Sequence, residues 1–158
     1  MADPAEQERT LDALVEALLA KEVDYATLLG LHPTILHQIA QKALRLAELG
    51  KAAQAEVLLA DLVTVDLQSA AYPMVLGACR EKVNNVSGAI AAYTLALDRV
   101  GQQDEVLRQQ AHFCRGQAHL KGGDAAGFRA DMAAAADGPD PKMGALARTW
   151  LERAGTPP

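Results

Sequence analysis

The sequence predicts an all-α protein in which three helix–turn–helix repeats lie between N-terminal helices and a C-terminal capping helix. Half of the residues are hydrophobic, but only 4% are aromatic. Alanine and leucine dominate, which favours packed helices over sheets. The second observation is a period of 34 residues: Gly77 and Ala89 lie 34 residues after Ala43 and Ala55. One helix pair cannot bury both of its faces, so this period indicates a stack of pairs.

The N-terminal part of the chain matches no repeat. Residues 1–9 are polar, and we expect them to be disordered. Residues 10–31 contain apolar residues at helical spacing and are predicted to be a helical region. This region either caps the first repeat or forms a dimer surface. The side chains of the predicted dimer surface are Leu18, Leu19, Tyr25, Leu28 and Leu29.

Residues 32–137 are predicted to hold the three repeats, at about 36–69, 70–103 and 106–137. In each repeat a turn residue separates the two helices. Glycine and asparagine tolerate the left-handed backbone that such turns require. The predicted turns lie at Gly50, at Asn84-Asn85 and at Gly123.

The third repeat departs from the pattern of the first two. Phe128 stands where they have Ala55 and Ala89. Two registers are open for its first helix. In one, His112 and His119 face inward; in the other, shifted by one residue, the inward residues are Ala111, Cys114 and Ala118.

The break Gly138-Pro139-Asp140-Pro141 starts a new element, because Asp140 is a suitable N-cap and Pro141 a suitable first helical residue. Residues 140–154 are predicted to form an amphipathic helix that covers the last apolar face of the stack. Trp150 is interpreted as a packing residue of this helix and not as a ligand contact.

Composition and charge narrow the function. The net charge is −5 and the sequence has no basic run, which argues against nucleic acid as a partner. No stretch reads as a signal peptide or a membrane span, so a cytoplasmic protein without membrane insertion is expected. Cys79 and Cys114 are then expected to be reduced thiols that pack in the core.

No catalytic, cofactor or metal motif is found in the sequence. Lys121-Gly122-Gly123 joins two predicted helices and is interpreted as a turn. His112 and His119 are two helical turns apart, roughly 10 Å along the axis, which is too far for one zinc ion without other ligands. The sequence therefore predicts a protein that is not an enzyme and uses no cofactor.

Residues in the second repeat resemble a known family. The 34-residue spacing with Leu76-Gly77, Ala89, Tyr93 and Ala96 resembles the tetratricopeptide repeat. The run from Leu76 to Arg80 followed by Ala89 and Tyr93 is similar to the class II chaperones of bacterial type III secretion, the LcrH/SycD group. The resemblance implies a right-handed superhelix of three repeats in a cytoplasmic chaperone. Its implied clients are hydrophobic translocators, which such chaperones keep soluble before export.

In a superhelix of this kind the first helix of each pair lines the concave groove. The accessible positions are found by counting along each repeat. They are His37, Ala40, Leu44, Ala71, Met74, Ala78, Phe113 and Gln117. Met74 and Phe113 are either the larger anchors for an extended client or ordinary packing residues.

Two functions remain open at this point. The first is a secretion chaperone that holds an extended client segment in its groove. The second is a tetratricopeptide-type adaptor in another bacterial complex. The secretion family tends to place aromatic residues on the inner face of the first repeat, where this chain has Ala40, Leu44 and Ala47.

Overall fold

A computed structural model describes residues 29–30, 32–101 and 104–155, and within these ranges the chain is entirely α-helical, without strands. Of the predicted dimer surface, Leu18, Leu19, Tyr25 and Leu28 lie outside the described residues, and Leu29 lies in a turn. The helices are α1 (Pro33–Glu48), α2 (Ala52–Val65), α3 (Ala71–Lys82), α4 (Val86–Arg99), α5 (Glu105–Lys121), α6 (Ala125–Ala136) and α7 (Pro141–Gly155). The predicted all-α fold class is confirmed.

The same turn joins the two helices of each pair. Gly50, Asn84 and Gly123 have φ values of 78°, 60° and 79°, the left-handed region. After α1, the N–H of Lys51 donates to the carbonyl of Leu46 over 2.8 Å, and that of Gly50 to Ala47 over 3.2 Å. Equivalent bonds close the turns after α3 and α5. These turns satisfy the last carbonyls of each first helix and reverse the chain.

Each helix pair crosses at a small residue that faces a large one 16 positions later. Gly77 faces Tyr93 and Gly116 faces Met132. The corresponding residues of the first pair, Ala43 and Leu59, lie in the same apolar cluster. All six are buried, and the second member of each pair is fully buried. At the middle crossing, a Cβ atom on Gly77 would lie only 2.7 Å from Cδ1 of Tyr93. The close approach of α3 and α4 therefore depends on a glycine.

Three apolar clusters join the pairs in sequence. The first cluster contains residues of α1, α2, α3 and α4, including Leu36, Leu59 and Leu76. A second joins α4 to α5 through Ala89, Tyr93 and Ala118. The third joins α5 and α6 to α7, where Trp150 and Leu151 pack against it. Each pair thus buries its faces against its neighbours.

When the two helices are aligned at Gly77 and Gly116, which are 39 residues apart, α5 is longer than α3 at its amino end. The carboxyl ends are also 39 residues apart (82 and 121), but the first residues are only 34 apart (71 and 105). The added turn contains Gln109, which is 2% exposed. Its amide donates to the carbonyls of Ala135 and Asp140 over 2.8 and 3.0 Å and accepts from the N–H of Asp140 over 2.7 Å. The added turn therefore fixes the connection between α6 and α7.

The structure also selects a register for the third repeat. Ala111 and Ala118 are fully buried, and Cys114 is half-buried. His112 and His119 are only partly buried and lie next to the carboxylate of Asp131. Of the two open registers, the one with Ala111 and Ala118 inward is therefore the one adopted.

A membrane span is not among these elements. None of the helices in the described ranges combines the length and the apolar character that crossing a bilayer would need.

Candidate peptide-binding groove

The first helices of the pairs form the inner layer of the stack. Besides its own partner, α3 contacts α1 and α5, and α5 contacts α7. The face of α1, α3 and α5 that points away from their second helices is thus a continuous surface across three pairs. We name the side chains along it the inner face, and the eight predicted groove residues were assigned to it.

Four of those eight residues are well exposed. Ala71 and Ala78 are exposed on α3, and Leu44 of α1 is 41% exposed. His37 is exposed near the start of α1, where its Nε2 lies 3.0 Å from Nε2 of Gln41. These positions offer small or apolar contacts and one polar ring that an approaching chain could reach.

The other four residues are less accessible. Met74 is half-buried and packs against Ala89, Tyr93 and Ala118. Gln117 is half-buried. Ala40 is 7% exposed and belongs to the first apolar cluster.

Phe113 is 8% exposed, because it lies in the third apolar cluster together with Ala147 of α7. Of the two larger anchors suggested by the sequence, Met74 therefore retains an accessible surface, whereas Phe113 serves the packing of α7.

One exposed apolar residue was not among the eight groove residues predicted by counting along each repeat. Leu120 is 40% exposed in the last turn of α5. It lies four residues after Gly116, as Ala47 and Glu81 lie four residues after Ala43 and Gly77. Extending the count to this position in every repeat would have found it.

A charged network lies at the carboxyl ends of α3 and α5. Glu81 accepts a hydrogen bond from the Tyr93 hydroxyl over 2.8 Å and another from Nζ of Lys121 over 2.8 Å. Burial, and then the nearby Cys114 and Glu81, raise the pKa of Tyr93 far above its ordinary value. Tyr93 is therefore a permanent hydrogen-bond donor to Glu81, and the carboxylate is held in place.

The two cysteines are free thiols in the described structure. Cys79 is buried in the first cluster, and burial raises its pKa. Burial, together with the charge of Glu81, raises the pKa of Cys114 to about 11. Both side chains therefore stay protonated near neutral pH, and neither has the thiolate character of a reactive cysteine.

A polar cluster lies between α5 and α6. Arg115 forms a bidentate pair with the 4% exposed carboxylate of Asp131, with both hydrogen bonds at 2.8 Å. His112 Nδ1 lies 2.9 Å from Oδ1 of Asp131, and Arg115 also donates to Thr94 of α4 over 3.0 Å. This network joins the second pair to the third.

Two cavities lie away from the inner face. One, of about 610 Å³, is lined by Arg108, Gln109, His112 and Pro139 among others. The polar side chains of Arg108, Gln109 and His112 are already bonded to protein groups. The other, of about 430 Å³, lies on α1 beside Gln38, Arg45 and Leu49. The inner face itself is an open surface, which suits an extended chain better than a small molecule.

Metal ligands are not gathered at any of these places. Within residues 29–30, 32–101 and 104–155, the structure contains no group of three or more His, Cys, Asp or Glu side chains that could hold a metal ion.

Comparison with known proteins gives a clear result for the fold. No family model and no curated protein matches the sequence. Among solved structures, a type III secretion complex from Aeromonas hydrophila matches with a TM-score of 0.79 and 22% identity, over 89% of this chain and 93% of that chain. The translocator chaperone SycD of Yersinia enterocolitica matches with 0.73 and 19%, over 83% and 98%. PcrH in complex with the chaperone-binding region of PopD matches with 0.70 and 23%, over 78% and 93%.

The described chain is therefore an all-α, tetratricopeptide-like helix stack. More narrowly, it has the fold of the SycD and PcrH translocator chaperones, along nearly the whole length of those proteins. This is the fold that the residues around Gly77 and Tyr93 predicted.

Proposed function

We propose that this protein is a cytoplasmic bacterial chaperone of type III secretion, which binds an extended segment of a hydrophobic translocator on its inner face. It acts by binding and not by catalysis. The observation that carries the proposal is the character of that face. Leu44, Ala71, Ala78 and Leu120 are exposed along it, and Met74 adds a partly exposed thioether.

Exposed leucines and alanines along one face of three packed helices have no partner within the described chain. Burial of a leucine or methionine side chain stabilises a complex by about 1.5–3 kcal/mol before the cost of ordering the bound segment. The inner face offers three such anchors, Leu44, Met74 and Leu120. The amide of Gln117, which is half-buried on α5, can bond to the main chain of the bound segment.

The related folds support the same use of this surface. The structures similar to this chain include PcrH with the chaperone-binding regions of PopD and PopB, and SycD with a peptide of the translocator YopD. We propose that the present chain binds a client of the same class. We further propose that residues 10–31 cap the first pair or join two copies, as the SycD dimer allows.

The test is capture of the client in the native bacterium. We expect tagged wild-type protein to retain a secreted protein with predicted membrane-spanning segments. Leu44→Glu and Met74→Glu place a carboxylate among the apolar anchors, and each should reduce the retained client at least tenfold. Mass spectrometry identifies the client, and thermal melting shows whether each variant is folded.

Val57→Glu is the matched control, because Val57 is 62% exposed but lies on α2, in the outer layer. It should retain the client as the wild type does. Equal retention by all four proteins would refute the assignment of the inner face. Capture of a partner without hydrophobic segments would favour the second hypothesis, an adaptor in another complex.

A further inference from the structure

Two lysines at equivalent places link the first helices of successive pairs. Lys82 is in the last turn of α3 and Lys121 in the last turn of α5. Each precedes a residue of positive φ by two positions, Asn84 and Gly123 respectively. The repeat therefore presents an ammonium group at the same corner twice.

Both ammonium groups reach back to the preceding first helix. Nζ of Lys82 donates to the carbonyl of Ala47 in the last turn of α1 over 3.3 Å. A cation at this position is favoured, because the carboxyl end of a helix carries partial negative charge. Nζ of Lys121 donates to Oε1 of Glu81 in α3 over 2.8 Å. We call these contacts the two lysine bridges.

The acceptor of the second bridge is itself fixed. Only 15% of the Glu81 side chain is exposed. Its other oxygen, Oε2, accepts the hydroxyl proton of Tyr93, which is fully buried between the helices. The Lys121 side chain is 58% exposed, but its partner carboxylate is fixed to the core of the second pair. This bridge is therefore more restricted than one between two exposed side chains.

The bridges lie on one edge of the inner face. In the described part of the chain, two side-chain hydrogen bonds join α1, α3 and α5 to one another. They are the two lysine bridges, and both lie at the carboxyl ends of these helices. At the other edge, Arg99 and Arg108 bond instead to carbonyls at the end of α2 and in the connections between pairs, such as Val63, Asp66 and Val100.

We infer that Lys82 and Lys121 are positioning residues that set the spacing of the first helices along this edge of the groove. The accessible anchors lie beside them: Leu120 is adjacent to Lys121, and Ala78 is one turn before Lys82. Leu44 lies one turn before Ala47, the acceptor of the first bridge. The bridges therefore fix the distances between the anchors that a client must match. The effect on client binding rests on the proposed function, whereas the effect on the spacing of the helices does not.

The spacing can be measured without a client. The two native cysteines are first replaced by Cys79→Ala and Cys114→Ala, and thermal melting checks that this background is folded. Spin labels on Glu48→Cys and Leu120→Cys then report the distance between the carboxyl ends of α1 and α5 by double electron–electron resonance. With both bridges removed by Lys82→Met and Lys121→Met, we expect a broader distribution at longer distance. Lys82→Arg with Lys121→Arg should keep the wild-type distribution. Lys42→Met with Lys142→Met, at exposed positions outside the bridges, is the control.

The same lysine substitutions, introduced into the wild-type chain without the spin-label cysteines, are then used in the client capture described above. We expect the double methionine variant to retain about three- to tenfold less client, and the double arginine variant to restore it. An unchanged distance distribution in the double methionine variant overturns the inference. If the distance distribution changes but client retention does not, the lysines do not position the anchors for the client. If the wild type retains no client, the proposed function fails, while the distance measurement still decides whether the bridges set the spacing.

Discussion

At the scale of single residues, the crossing of Gly77 with Tyr93 shows how the repeat specifies its own geometry. Tyr93 is fully buried, and its hydroxyl reaches Glu81. The ring occupies the space that a side chain at position 77 would need. The first and third pairs place Leu59 and Met132 opposite their small residue, and the first tolerates Ala43 there. The sequence around Gly77 predicted the fold well because the fixed ring of Tyr93 excludes larger side chains at position 77, which leaves few residue types that can stand there.

Gly77→Ala tests this crossing. We expect it to lower the free energy of unfolding by about 1–3 kcal/mol, the usual cost of inserting atoms into a packed core. Gly116→Ala is the matched control. Its new Cβ would meet Cε of Met132, a flexible end, at 3.0 Å and Cβ of Asp131 at 3.2 Å. These contacts need smaller shifts than the Tyr93 ring does, and the gain in helix propensity of up to about 1 kcal/mol partly offsets them, so the loss should be smaller than for Gly77→Ala. Urea unfolding of both variants checks the difference; equal losses would contradict the explanation.

The buried carboxylate of Asp131 makes a prediction about acid stability. Burial raises its pKa, but hydrogen bonds and charge from Arg115 and His112 outweigh burial and lower the pKa below its usual range. A carboxyl with a lowered folded-state pKa contributes stability above its unfolded pKa of about 3.9. That contribution is lost as the pH falls through the folded-state value. The melting temperature of the wild type should therefore fall below about pH 4.

Asp131→Asn removes one partner of this network and leaves Arg115 without its carboxylate. We expect it to cost about 3 kcal/mol at pH 7, as for other broken buried pairs. Its melting temperature should depend less on pH below pH 4 than that of the wild type. Asp61→Asn, at an exposed site on α2, should behave as the wild type does. A variant as stable as the wild type at pH 7 would show that the network contributes little.

At the scale of elements, local sequence marks the boundaries of the helices but not the contacts between distant helices. Gly50, Asn84 and Gly123 mark the turns because a left-handed backbone restricts the residue type there. The start of α5 is marked as well, because Asp104 caps the helix: its Oδ1 accepts the N–H of Leu107 over 3.0 Å. Within the added turn of residues 105–109, however, Gln109 finds its partners at Ala135 and Asp140, some thirty residues later. Local sequence does not encode a contact of that range, so it could not predict that this turn fixes the connection between α6 and α7.

The docking of α7 can be tested by a pair of substitutions on that helix. Ala147 is fully buried in the third apolar cluster, whereas Ala145 is exposed two residues earlier. Ala147→Glu buries an unpaired charge and should detach α7. Ala145→Glu should have little effect. Hydrogen exchange should show loss of protection in α5 to α7 but not in α1 and α2, because each pair depends mainly on its neighbours. Uniform loss of protection would contradict the modular account.

At the scale of the whole molecule, the fold was predictable and the groove only partly so. Repeat spacing places the inner face on α1, α3 and α5, since periodicity determines which side of each helix points away from its partner. It does not determine which inner residues stay accessible. Phe113 is covered through the packing of α7, and Ala40 is buried because the helices approach closely at small residues. Leu120, which is 40% exposed, lies at a position of the repeat that the count did not include.

The central claim is that the inner face, and not the outer surface, holds the client. Site-specific photo-crosslinking in the native bacterium tests this claim most directly. A benzoylphenylalanine is placed at one inner position, Leu44, Ala78 or Leu120. For comparison, it is placed at Val57 or Ala91 on the outer helices α2 and α4. We predict that the three inner positions crosslink to one and the same hydrophobic secreted protein and that the two outer positions do not. Adducts to that protein from Val57 or Ala91, with none from the inner positions, would contradict the account.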